Sequence, residues 1–419
     1  MARFLFAQWD GGGSLPPELT VVRHLVEAGH AVTVLGDPVT EPEVRAVGVT
    51  DFRPWVEPPH HESRRAEDDY IRDWELRSPT RVLVNLMDAL MVGPAPAFAT
   101  ETLAAIDEVE PNAVAVSFPL LGALIAAEAR GLPVAALVPN VVSLPAEGMP
   151  PFGTGFLPPG GALGRFRDRQ LNRLVERLWN KGLPDLNRLR AAFGLAPLDR
   201  LLAQYEQATR VLALTGACFD FPAALPANVR YVGPQLDDPH WVEPWSPPPG
   251  DDPLVLVAMS TTYMDHLDQL QRAVTALAAL PVRGVVTTGP AVDPHQVDAP
   301  ANVTVVRSAP HRQVLDHADV LVTHGGHGTV MKGLVAGVPI VCLPTGRDQP
   351  DNAARLRHRG AGVTLRKGAA PARVAAAVQR VLDDPSYRVA AARLGAELRA
   401  ESARGLAVAE LEALATGRP

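Results

Sequence analysis

The run Val320-Leu321-Val322-Thr323-His324-Gly325-Gly326-His327-Gly328-Thr329 constrains the fold of this chain more than any other. Its apolar start reads as a strand buried on both faces. A glycine-rich turn follows, then a helical pattern over 330–336, and Gly337-Val338-Pro339-Ile340-Val341-Cys342-Leu343-Pro344 reads as the next strand. The order strand, helix, strand implies a parallel sheet with right-handed crossovers. The turn presents free backbone N–H groups at the positive end of a helix, which is the chemistry that receives a pyrophosphate. His324 stands at the strand's carboxyl end, Gly325, Gly326, His327 and Gly328 form the turn, and Thr329 adds a hydroxyl. Asp348-Gln349 follows the second strand, and a carboxylate beside an amide suits sugar hydroxyls. Anion cradle and polyol clamp together point to a nucleotide-sugar ligand.

A length of 419 residues exceeds one ordinary core, so two domains are expected. Apolar residues at 47 % and charged residues at 20 % fit a folded protein rather than a disordered one. The net charge of −7 argues against nucleic acid or an anionic membrane as main partner. Cys218 and Cys342 lie in apolar, strand-like contexts and read as reduced core residues. The opening Met1-Ala2-Arg3-Phe4-Leu5-Phe6-Ala7 is too brief for the core of a signal peptide. No apolar run reaches the roughly 18 residues of a membrane span. A cytoplasmic protein, monomeric or homodimeric, is expected.

Along the chain, residues 4–7, 20–28 and 31–35 read as strand, helix and strand, and 113–116, 121–129 and 133–138 repeat that order. Residues 53–96 show no clean period and are expected to form helices and loops rather than sheet. Residues 148–164, dense in Gly and Pro, read as a mobile loop, and 171–189 as helix. A second series begins with strand 254–259, helix 266–280 and strands 285–288 and 303–306. Between the series lies a proline-rich stretch that cannot donate ladder hydrogen bonds and so reads as a linker. The expected division is 1–236, linker 237–252, 253–400, and 401–419 as a helix crossing back onto the first domain. The class is α/β: two doubly wound domains facing a cleft, with ligands at the carboxyl ends of the strands.

The stretch SAPHRQVLDHADVLVTHGGHGTVMKGLVAGVPIVCLPTGRDQPDNAARLRHRGAGV resembles the family 1 glycosyltransferases of the GT-B fold, particularly actinobacterial enzymes that decorate natural products. Weaker similarity covers 3–35 and Met259-Ser260-Thr261. The resemblance implies that His324 and the amides from Gly326 to Thr329 grip a diphosphate, with Ser260 and Thr261 facing Thr329 from the neighbouring strand. It implies that Asp348 and Gln349 hold the transferred sugar. It places Ser308, Ala309, Pro310 and His311 where such enzymes grip the nucleobase. The chain departs from the family in two places: Ser308 stands where a stacking tryptophan is frequent, and Lys332 where many relatives carry a glutamate for the ribose. UDP and dTDP therefore remain equal as donor nucleotides.

Transfer with inversion to a small apolar or aromatic acceptor needs a nucleophile, usually activated by a base in the first loop. That loop is Gln8-Trp9-Asp10-Gly11-Gly12-Gly13-Ser14-Leu15-Pro16-Pro17, and Ser14 falls near the family's histidine. Asp10 is its one titratable side chain, either the base or an orienter, or else a cap for the turn. Trp9, His60 and His61 are further acceptor-side candidates, and an already nucleophilic acceptor would need no base. His327 and His324 share a helix face, but no third ligand follows at metal spacing, and neither metal nor other cofactor is expected. The acidic doublets, Asp237-Asp238 among them, read as loop charges and caps. A nucleotide-sugar 2-epimerase of the same fold, or a non-catalytic sugar-nucleotide binder, are the alternatives. The aromatic-bearing stretch 55–98 favours a separate acceptor site over epimerisation.

Overall fold

The computed structural model describes residues 1–76, 78–238, 242–260, 266–290 and 292–417. The first sheet contains β1 (Arg3–Ala7), β2 (Ala31–Gly36), β3 (Asp51–Pro54), β4 (Ala113–Ser117), β5 (Val134–Val138), β6 (Arg210–Ala213) and β7 (Val229–Tyr231), in the order β3-β2-β1-β4-β5-β6-β7. The second contains β8 (Leu254–Ala258), β9 (Arg283–Thr287), β10 (Val303–Val306), β11 (Val320–Thr323), β12 (Ile340–Cys342) and β13 (Gly362–Thr364), in the order β10-β9-β8-β11-β12-β13. Every pairing in both sheets is parallel. Strand order reverses between β1 and β4 and again between β8 and β11. At such switch points the loops leaving the strands diverge and open a crevice. The loop 8–14 leaves β1, and the turn 324–326 leaves β11.

Central strands are apolar without alternation because helices cover both faces. Ala113–Ser117 and Val134–Val138 are buried throughout, and Leu121 to Ala127 are buried on every side of their helix. β3 runs into the stretch 53–96, expected to hold no sheet, by its last two residues. It is an edge strand, paired only through β2, and Pro54 ends it where no further ladder bond is needed. Composition alone would let Thr80–Val109 cross a membrane, contrary to the sequence expectation. Here Leu90, Met91, Phe98 and Ile106 of that stretch pack into the first domain's core instead.

The helix Gln349–Arg359 carries much of the contact between the halves. The Asp351 carboxylate accepts hydrogen bonds from the Gly153 and Gly155 amides at 2.6 and 2.9 Å, so the Gly/Pro-rich loop is docked rather than loose. Arg355 pairs with Asp220 at 2.6 Å, both almost wholly buried, and lies over the Phe221 ring. Arg347 forks onto Asp73 at 2.6 and 2.8 Å. The helix Leu406–Thr416 returns to the first domain, where Ala407, Leu411 and Leu414 share a core with Phe4, Phe6, Val22 and Leu25.

Candidate functional site

A cleft of about 1100 Å³ runs between the two sheets' carboxyl edges. On the second domain's side, β11 ends at Thr323 and Gly325 turns the chain at φ +95°. A Cβ on Gly325 would meet Cys342 Sγ at 2.6 Å, and one on Gly326 would meet His324 Nε2 at 2.7 Å. Both positions need glycine for close approach. A Cβ on Gly328 would meet nothing within 4 Å, so the helix's first turn opens onto the cleft. The helix starts at His327, earlier than its apolar period suggests, because Gly326 serves as N-cap. The amides of its first turn have no carbonyl one turn back and are available to an anion.

His324 is 8 % exposed. Burial, with His266 and Arg347 nearby, holds its ring down to about 3, against an opposing backbone hydrogen bond at Ala258. An incoming diphosphate opposes those terms, because an anion favours the protonated ring. His327 is also kept neutral, near 4, chiefly by burial. Asn352 fixes its tautomer. The Asn352 Nδ2 donates to the Gly325 carbonyl at 2.9 Å and to Asp348 Oδ2 at 2.8 Å, so Oδ1 must be the acceptor for His327 Nδ1–H at 3.1 Å. The Nε2 of His327 is then an acceptor, and the residue meets an anion through its backbone N–H rather than its ring.

Asn352 is fully buried and lies in the matched stretch, yet its role was not read from sequence. It ties the turn to Asp348, one helical turn before it. A recognisable signal was there: i, i+4 spacing from the acid at a helix start. The Asp348 carboxyl is pushed up to about 6 by burial, partly offset by the Asn352 hydrogen bond. Gln349 Oε1 accepts from the Thr345 amide, the Thr345 hydroxyl and the Gly346 amide, and so shapes the loop. Arg347, just before, adopts φ +55°, a conformation costing about 1 kcal/mol or more for a residue with a Cβ.

Ser260, Ser308, Ala309, His311 and Thr329 line the same cleft, whereas Pro310 does not. Thr261 lies outside the described residues. Ser308 Oγ accepts from the Glu243 amide at 3.1 Å, which holds the inter-domain segment against this wall. His311 bonds Thr287 Oγ1 at 3.0 Å, and burial and the Lys332 charge push its ring down to about 4.

The first domain supplies an apolar wall that includes Leu86, Leu90, Met91, Phe118, Leu178 and Trp179. Trp9 and Ser14 face it from the first loop. Ser14 Oγ is shielded from solvent with no hydrogen-bond partner among the described residues. Asp10 departs from the base reading. Its carboxylate accepts from Arg64 Nε at 2.7 Å and from the Gly12 amide at 3.0 Å, and it does not line the cleft. That is the geometry of a turn cap. His60 and His61 lie off the cleft too. His60 pairs with Glu62, while His61 stacks on Tyr70 and packs beside Asp37. His61 belongs to the support of the first loop, since the Asp10 amide donates to the same Asp37 at 2.6 Å.

The sequence of residues 271–414 matches the family described as erythromycin biosynthesis protein CIII-like, C-terminal domain. A 4'-demethylrebeccamycin synthase from Lentzea aerocolonigenes is 31 % identical over 425 residues, covering 99 % of each chain. Among solved structures, the glycotransferase of kitacinnamycin superposes with a TM-score of 0.76 at 23 % identity over 99 % of each chain. The glycosyltransferase VinC, solved in complex with dTDP, superposes at 0.69 with 20 % identity, over 99 % of this chain and 100 % of its own.

Proposed function

The chain belongs to the family 1 glycosyltransferases of the GT-B fold, and from that premise we propose inverting, metal-independent transfer of a sugar from a dTDP- or UDP-sugar to a small apolar or aromatic natural-product acceptor. One observation carries this reading: one cleft has a glycine-rich turn and helix start on one wall and an apolar wall on the other. An epimerase needs no second, apolar surface. The structural relative solved with dTDP supports testing that nucleotide first.

In the proposed reaction the diphosphate rests on the amides of His327, Gly328 and Thr329, with Ser260 and the Thr329 hydroxyl beside it. Asp348, ionised, accepts hydroxyls of the sugar. The acceptor lies against Trp9, Phe118 and Trp179 as a nucleophile already free of its proton, such as a phenolate, and attacks the anomeric carbon from the face opposite the diphosphate. The bond from that carbon to the diphosphate oxygen breaks, and its electron pair leaves with the nucleotide. Charge grows on the leaving oxygen, where the helix N-terminus and the His324 ring meet it without a metal. Asp10 orients the first loop through Gly12 and Arg64, and Ser14 offers its hydroxyl to the acceptor's polar atom.

The test is nucleotide release from dTDP- and UDP-sugars with an aromatic acceptor panel, in the presence of a chelator. His324→Ala should retain its unfolding temperature and lose about 10²–10³ in turnover, as for removal of one oxyanion donor. Undiminished turnover would remove the turn from the mechanism, and chelator sensitivity would remove metal independence.

A further inference from the structure

We propose that Asp238 is the carboxylate that receives a hydroxyl of the donor's nucleoside sugar, held in place by Lys332. The inference rests on the nucleotide-sugar reading and deepens it. Asp237 and Asp238, expected as solvated loop charges, line the cleft instead. Asp237 accepts from Arg23 Nε on a first-domain helix at 2.8 Å. Asp238 Oδ1 accepts from Lys332 Nζ at 2.5 Å, and the two side chains are only 15 % and 12 % exposed. The inter-domain segment thus places one acidic residue on each half of the protein.

Position identifies the ligand group. Lys332 follows Thr329 by three residues on the helix that opens with the anion turn, so the two share a face with Cβ atoms about 5–6 Å apart. Asp238 Oδ2 accepts from the Arg312 amide at 3.3 Å, next to His311 on the base-side wall. Asp238 therefore stands between the phosphate turn and the 308–311 wall, the interval a pentose must occupy when its phosphate and base rest on those walls. A carboxylate there accepts hydroxyl hydrogens, and the long contact to Arg312 leaves Oδ2 with lone-pair capacity. A bare carboxylate would also repel the diphosphate. The Lys332 ammonium offsets that repulsion, which gives a physical reason for a cation at 332.

The experiment measures calorimetric affinities of the whole protein for UDP, dTDP, their 2′,3′-dideoxy analogues and inorganic pyrophosphate, in wild type, Asp238→Ala and Asp238→Asn. The wild type should prefer each nucleotide over its dideoxy analogue by about 10- to 100-fold, the range for a hydrogen bond to a charged group. Both variants should lose that preference while binding pyrophosphate no worse than wild type. Asp238→Asn keeps the side-chain shape, so it reports even where Asp238→Ala unfolds. A preference kept at wild-type size in the Asn variant overturns the assignment alone. Failure of the wild type to bind either nucleotide overturns the donor reading and this one with it.

Discussion

Asp10 and Glu18 flank the start of the first helix, and their surroundings set them to opposite tasks. Arg64 and the Gly12 amide hold the Asp10 carboxylate. Asp10→Asn should therefore lower turnover by loosening the loop without moving the pH–rate profile. A lost or displaced basic limb would restore the base role instead. Glu18 is 1 % exposed and accepts from Ser117 Oγ at 2.6 Å. Burial raises its carboxyl from 4.5 to about 8, against hydrogen bonds from Ser117 and Gln8. The folded chain thus holds a proton that the unfolded chain releases near 4.5. The stability this group contributes is full below that value and is lost as pH climbs through about 8. Glu18→Gln should unfold at higher urea than wild type at pH 9, by on the order of a few kcal/mol, and lose the advantage near pH 4. Equal midpoints at pH 9 would contradict the buried, protonated state.

The helix Gln349–Arg359 serves as hinge plate, clamp and scaffold together. Its Asn352 satisfies the Gly325 carbonyl, His327 and Asp348 at once. Asn352→Ala leaves those buried groups unpaired, each at about 1–3 kcal/mol. The expected result is a protein destabilised by at least that amount and a donor affinity lowered about tenfold or more by calorimetry. Wild-type donor affinity would show that the turn keeps its shape unaided. Elements with a strong period and a glycine signal were legible in the sequence: β1, β2, β4, β5, β8, the strand β11 with its turn, and the helix Leu121–Ala129. β3, β6, β7 and β13 hold three or four residues each, and no glycine-rich turn follows to mark them as one marks the equally short β11. The glycine-rich turn after β11 was legible because glycine, histidine and threonine sit together in the chain. The Asp10–Arg64, Arg347–Asp73 and Lys332–Asp238 pairs were not, because 54, 274 and 94 residues separate their partners.

At the scale of the whole protein, Arg347 joins the strained loop before Asp348 to Asp73 in the first domain. Asp73 is buried, at 6 % exposed, and the Arg347 side chain is half-buried, at 22 %. Removing Arg347 would leave the Asp73 carboxylate buried without its cation, and the loss falls on the contact between the halves. Arg347→Ala should raise the KM for acceptor and donor together and speed solvent exchange of amides at 149–155. An effect confined to donor KM would mean that the pair shapes the sugar loop and nothing beyond it.

The helix Leu406–Thr416 finishes a core begun by Phe4 and Phe6. A polypeptide leaving the ribosome exposes Leu25 and Val22 hundreds of residues before Leu411 and Leu414 exist to cover them. The half that opens with β1 is thus completed only after the other half has been made, and its nascent form keeps this apolar surface uncovered until Leu411 and Leu414 have emerged.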